Sequence, residues 1–88
     1  MAHHWSVQDD IIALYLCRFG ESDIGTLESL GEARSMGKGS LRMRVQNFQS
    51  LVGGTGLDHA AKQSVEVYRR YKDTPREELR RIALDAAR

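Results

Sequence analysis

The sequence predicts an all-α fold: a compact bundle of about five helices in one domain over residues 1–88, with 1–5 as a flexible N-terminus. Three observations carry that expectation. Apolar residues recur at helical spacing in successive segments, most of them opening on a capping signal or closing on glycine. The one stretch that alternates like a half-buried strand, GSLRMRV at 39–45, loses its alternation in the QNFQ that follows, so a helix accounts for more of its residues. A chain of 88 residues, 41% hydrophobic and 28% charged, has apolar surface for a single core and an ordinary globular composition.

The first helix opens at Ser6, which with Asp9 three residues on forms a capping box. Trp5 and Asp10 occupy the positions of a hydrophobic staple, a role Asp10 cannot fill. Ile11, Ile12, Tyr15, Leu16 and Phe19 give a wide apolar stripe, and Gly20 stops the helix. Asp23 is the expected cap of a short second helix, IGTLESLGEA, with Ile24, Leu27 and Leu30 inward and Gly25 and Gly31 weakening it.

SMGKGS at 35–40 has a turn composition. A third helix beginning near Ser40 places Leu41, Val45, Phe48 and Val52 on an apolar seam. Gly53, Gly54 and Gly56 end it, and the GGTG there lacks a following GK[ST] and a preceding strand, so it reads as a loop. A fourth helix is expected over 58–71, with Ala61, Val65 and Tyr68 inward and Val67 and Tyr71 widening the row. The fifth opens with Thr74 as cap, Pro75 in first position and Glu77 completing a box, and carries Leu79, Ile82, Ala83 and Ala86.

Two short helices around a Gly-containing turn give the bundle a helix-turn-helix-like centre, although 31–40 is longer than the simplest such turn. The third helix leaves Arg42, Met43, Gln46, Asn47 and Ser50 on its solvent side, where a helix needing only solubility would carry paired Glu and Lys. These side chains suit the major groove of double-stranded DNA: Gln and Asn for adenine, Arg for guanine or phosphate, Met against a thymine methyl. Lys38 and Ser40 are placed to hold a phosphate at the helix start, with Arg34 and Arg44 adding positive charge at the flanks. Tyr68 to Lys72 with Arg76, Arg80 and Arg81 form a basic segment, in which Arg69, Arg70, Arg80 and Arg81 are candidate secondary phosphate contacts. The bland alternative has Gln46 and Asn47 satisfying loop backbone groups, Met43 under the Gly-rich segment, and the arginines as a solvated rim.

Charge is uneven along the chain. Residues 1–33 hold six acids against Arg18 alone, net −5, and residues 34–88 hold twelve bases against six acids, net +6. Either one face attracts anions, or the two parts pair across the fold. A second function class follows from the same charges: a protein interaction module, docking an acidic partner or a second copy of the chain.

Catalysis, metal and cofactor are not expected. His3 and His4 read as a flexible end, His59 stands apart, and Cys17, which has no partner for a disulfide, reads as a small core residue. No apolar run approaches the roughly twenty residues of a membrane span, and no signal-peptide block is present, so a cytoplasmic location is expected.

An aromatic-led first helix (HWSVQDDIIALYLCRFG), a Leu-rich helix ending in LGEARS, then GSLRMRVQNFQSL, a Gly-rich turn with GL and AAKQSVEVYRRY follow one another from Trp5 to Tyr71. That order resembles the helical N-terminal domain ahead of the nuclease module in many HNH-type restriction endonucleases. There the second helix typically ends in LG-R-S and a segment of type S-V-x-M-K-L-x-N-F serves as recognition element. Ser40, Leu41, Met43, Arg44, Val45, Asn47 and Phe48 occupy the matching positions. The resemblance implies a DNA-associated module that positions a partner nuclease. No His-Asn-His constellation follows before Arg88, so the expectation is a freestanding relative or a piece of a longer protein.

Overall fold

The computed structural model describes residues 4–21, 23–54 and 61–88. Among them are five helices: α1 (Val7–Phe19), α2 (Leu27–Ala33), α3 (Lys38–Val52), α4 (Lys62–Tyr71) and α5 (Arg76–Ala86), with no strand among the described residues. The all-α bundle is therefore as the sequence predicts.

α1 is the inner rod. Asp9 through Leu16 are all buried, and α3, α4 and α5 each pack on it, while α2 packs on α3. Around Ile12, Leu14 and Tyr15 the core gathers Leu41, Phe48 and Leu51 of α3, Val67 of α4 and Leu79 and Ala83 of α5. The expected start of α1 is present in full: the Ser6 hydroxyl accepts from the Asp9 N–H at 3.2 Å, and the Asp9 carboxylate accepts from the Ser6 N–H at 3.0 Å. Gly20 ends the helix at φ 84°, a left-handed backbone that glycine adopts without penalty.

Two carboxylates in the first turn of α1 set the arrangement of everything else. Asp9, 1% exposed, takes the Arg34 Nε at 2.8 Å, and the same guanidinium donates to the Ser6 hydroxyl and, at 3.1 Å, to the Ala86 carbonyl at the end of α5. Asp10, fully buried, takes both Arg44 Nε (2.6 Å) and Nη2 (3.0 Å) from α3, and Gln63 Nε2 (2.7 Å) and the Ser64 hydroxyl (3.0 Å) from α4. Gln63 also donates to the Trp5 carbonyl, and the Arg44 guanidinium lies 4.6 Å from the Trp5 ring centroid. The Trp5–Asp10 pair that could not form an apolar staple is thus joined by a cation.

At the other end of α1, Arg18 donates to the carbonyls of Tyr71 (3.0 Å) and Thr74 (2.6 Å) in the α4–α5 turn. With Arg34 holding Ala86 beside Asp9, this makes α5 antiparallel to α1, whereas Gln63 near Trp5 and Tyr71 near Arg18 make α4 run alongside it in the same direction.

Several sequence expectations are corrected. α2 begins at Leu27, capped by Thr26 in a box with Ser29, while Asp23 is engaged elsewhere. Gly25, at φ 140°, belongs to the approach to the helix and not its interior. α3 begins at Lys38 rather than near Ser40, and its seam runs through Leu51, 2% exposed, leaving Val52 58% exposed. α4 turns Val65, Val67, Tyr68 and Tyr71 to the core as expected, but Ala61 is exposed, and Ser64, unexpected in that row, is buried because it and Gln63 reach Asp10. The start expected at 58 and the loop residues Thr55 and Gly56 lie outside the described residues, as do 1–3 of the expected flexible end. α5 has Pro75 as its cap, with no side-chain capping bond: the Thr74–Glu77 box does not form.

Breaking a buried ion pair from one side strands the partner charge and typically costs about 3–5 kcal/mol. Asp10→Ala is expected to fall in that range by urea unfolding, whereas Ser6→Ala, which loses only a cap, should cost about 1 kcal/mol.

Candidate functional site

The link between α2 and α3 is residues 34–37, four residues and not the longer turn expected. Its geometry is set by Ser35 at φ 59° and by the Met36 N–H donating to the Gly31 carbonyl at 2.7 Å, which buries the Met36 side chain. α3 then starts on Gly37 without a side-chain cap and without an acid in its first turn. Ser40 is exposed there, and the side chain of Lys38 lies outside the described residues.

On α3, Arg42, Met43, Gln46 and Asn47 are all exposed, Met43 at 66%. None of the four hydrogen-bonds through its side chain or ion-pairs with another described residue. Gln46 and Asn47 thus serve no loop backbone group among the described residues. The whole of α3, KGSLRMRVQNFQSLV, contains no acid. Gln49, which the sequence reading passed over, is also exposed and lies at the meeting of two clefts: one of about 310 Å³ with Arg42, Val45 and Gln46, and one of about 590 Å³ with Val52, Tyr68 and Lys72. Helical spacing from Arg42 and Gln46 was the available signal for it.

Arg44 is corrected. Its side chain is 14% exposed and turned inward to Asp10, because it stands one turn from Leu41 and Phe48 on the buried side of the helix. Arg34 is likewise spent on Asp9. Of the secondary candidates, Arg69 is exposed on α4, and Arg70 lies 5.4 Å from the Tyr71 ring centroid beside Val7 and Gln63. Arg80 and Arg81 line a separate cleft of about 790 Å³ with Arg76, Arg88 and Asp23, whose walls include no residue of α3.

The charge asymmetry resolves by pairing. Three of the six acids in 1–33 hold arginines from the later part: Asp9 with Arg34, Asp10 with Arg44, Asp23 with Arg76. Glu21 accepts from the Leu27 N–H at 2.9 Å. Arg76 and Arg88 are exposed but paired, Arg88 with Asp85; the exposed arginines outside any described ion pair are Arg42 on α3, Arg69 and Arg70 on α4, and Arg80 and Arg81 on α5.

Asp23 is also the acceptor for the buried Tyr15 hydroxyl at 2.6 Å. That bond, followed by the Arg76 guanidinium, holds the Asp23 carboxyl below its ordinary value. Burial, and then the bond to Asp23, pushes the Tyr15 hydroxyl up. Burial also pushes up the thiol of Cys17, a half-buried residue at the edge of the core. No group of three His, Cys, Asp or Glu side chains among the described residues could hold a metal, and His3 and His59 lie outside them. No helix among the described residues is long and apolar enough to cross a membrane.

Comparison of the chain with protein-family models, curated proteins and solved structures finds no match.

The Tyr15–Asp23 pair gives stability two pH limits. A depressed carboxyl contributes stability that is present above its unfolded value near 3.9 and is lost as pH falls through the folded one, and a raised phenol contributes stability that is lost as pH rises past about 10. Melting temperature against pH should show both limbs, and Tyr15→Phe should shrink each of them, leaving on the alkaline side the share of the raised Cys17 thiol.

Proposed function

We propose that the chain is a non-catalytic DNA-binding or DNA-targeting module, in which α2, its four-residue link and α3 act as a helix-turn-helix-like unit and residues 40–50 enter the major groove. The observation that carries this reading is the outer face of α3: exposed Arg42, Met43, Gln46 and Asn47, without partners among the described residues, on a helix with no acid. A face that needs only water has no use for two unpaired amides beside an arginine, whereas base edges offer each of them a bidentate partner. The uncapped, acid-free start of α3 adds N–H groups and positive dipole for a phosphate at Ser40. Arg69 and Arg70 would supply sequence-independent contacts. The resemblance to domains that precede HNH nuclease modules points the same way and suggests an attached or partner nuclease.

The second reading is an interaction module, a homodimer or a dock for an acidic partner, and the exposure of Met43 favours it.

Fluorescence anisotropy of the protein against a random-sequence duplex across a salt series separates the two. A DNA module should lose affinity with a log–log slope of about −0.9 per phosphate neutralised. Arg42→Ala/Gln46→Ala/Asn47→Ala should cost at least about tenfold on a site selected from a random library, with helical circular dichroism unchanged, since each bidentate base contact is worth roughly 1–3 kcal/mol. Arg69→Ala should weaken all sequences alike and lower the salt slope by about one. Absence of binding at low salt would discard the DNA reading, and salt-tolerant self-association lost in Met43→Ala would establish the other.

A further inference from the structure

We propose that Arg44, clamped by Asp10, is a positioning residue that sets the roll of α3 and thereby decides which side chains stand at the crown of its outer face. The inference rests on that face being the one that meets DNA.

α3 carries two rows that could face the core. One is Leu41, Val45, Phe48 and Val52, apolar throughout; the other is Leu41, Arg44, Phe48 and Leu51, with a cation in it. On an ideal helix at 100° per residue, their mean directions differ by roughly 50°. Apolar burial alone favours the first row. The protein adopts the second: Leu51 is 2% exposed and the Arg44 side chain 14%, while Val52 is left 58% exposed.

What overrides the apolar preference is the clamp. Asp10 is fully buried and grips Arg44 through Nε and Nη2, the Trp5 ring lies against the guanidinium, and Gln63 and Ser64 of α4 complete the carboxylate's shell. A planar fork held at two nitrogens fixes an orientation as well as a distance, which an ammonium cannot do. Turning α3 to the apolar row would pull Arg44 away from Asp10 and leave a buried carboxylate short of its cation.

The consequence lies on the opposite side of the helix. With Arg44 and Leu51 inward, the direction opposite the core falls on Gln46, flanked by Arg42 and Ser50, and Asn47 sits toward the edge. With the apolar row inward, the crown would move to Met43 and Ser50. Asp10, on the far side of α3 from any duplex, thus selects Gln46 and Arg42 as the principal reading pair.

The test uses two variants, Arg44→Lys, which keeps the charge and loses the fork, and Asp10→Asn/Arg44→Met, which removes both charges. Both should move the amide resonances of α3, leave the salt slope on random duplex unchanged, and lower the ratio of selected-site to random-site affinity at least fivefold. Adding Gln46→Ala to either should then have less effect than it has in the wild type. A salt slope reduced by about one in the double variant with the ratio retained would make Arg44 a phosphate contact and overturn the proposal, as would unchanged α3 resonances with an unchanged ratio.

Should neither variant fold, single cysteines placed by Met43→Cys, Gln46→Cys or Asn47→Cys in a Cys17→Ser background give the answer in the otherwise native protein. Duplex should protect position 46 from alkylation most strongly, and stronger protection at 43 or 47 overturns the proposal. If the wild-type protein binds no duplex, the DNA reading fails separately, and the α3 resonances of Arg44→Lys alone decide whether the clamp sets the roll.

Discussion

The arrangement of this bundle depends on two adjacent carboxylates that never reach water. Asp9 and Asp10 occupy the first turn of α1, where the helix dipole and unpaired N–H groups favour negative charge, and each collects donors from different parts of the chain. Asp9 draws in the α2–α3 link and, through Arg34, the end of α5; Asp10 draws in α3 and α4. Desolvating two charges is costly, and ion pairs of this kind are weak evidence for stability in themselves. Their contribution is directional. Apolar surfaces fit together in more than one rotation, as the two rows of α3 illustrate, while a bidentate guanidinium fits in one.

This explains which parts of the fold were legible in the sequence. The capping box at Ser6, the breadth of the α1 stripe and the stop at Gly20 are local features, and local spacing reveals them. The exposed side of α3 was also legible, because Arg42, Met43, Gln46 and Asn47 stay outside in either roll of the helix. The inward position of Arg44 was not, since periodicity ranks an arginine as surface unless its partner is known, and that partner lies thirty-four positions earlier. The same failure put Val52 on the seam, where Leu51 stands instead. Asp23 was read as a cap because aspartate at the head of a helix usually is one; a tyrosine on α1 and an arginine on α5 claim it instead, and Thr26 with Ser29 does the capping.

Long-range pairing also changes how net charge should be understood here. A nearly neutral chain with a strongly basic later part suggests a broad cationic surface, yet Arg34, Arg44 and Arg76 are neutralised by acids from the first part. The cations left at the surface form small separate groups on α3, α4 and α5. Such a molecule gains less from long-range attraction to polyanions than its sequence implies and more from the fit of individual side chains.

The burial of α1 on all sides has a consequence for the order in which the protein can assemble. The rod formed by Asp9–Leu16 is covered only when α3, α4 and α5 are all in place, and α5 lies more than fifty residues further along the chain. During synthesis the first helix therefore leaves the ribosome with its apolar surface uncovered and must wait for the last helix to emerge. The bundle is made of local helices, but its closure is a non-local event, and the interval before α5 arrives is when the nascent chain most needs protection from aggregation.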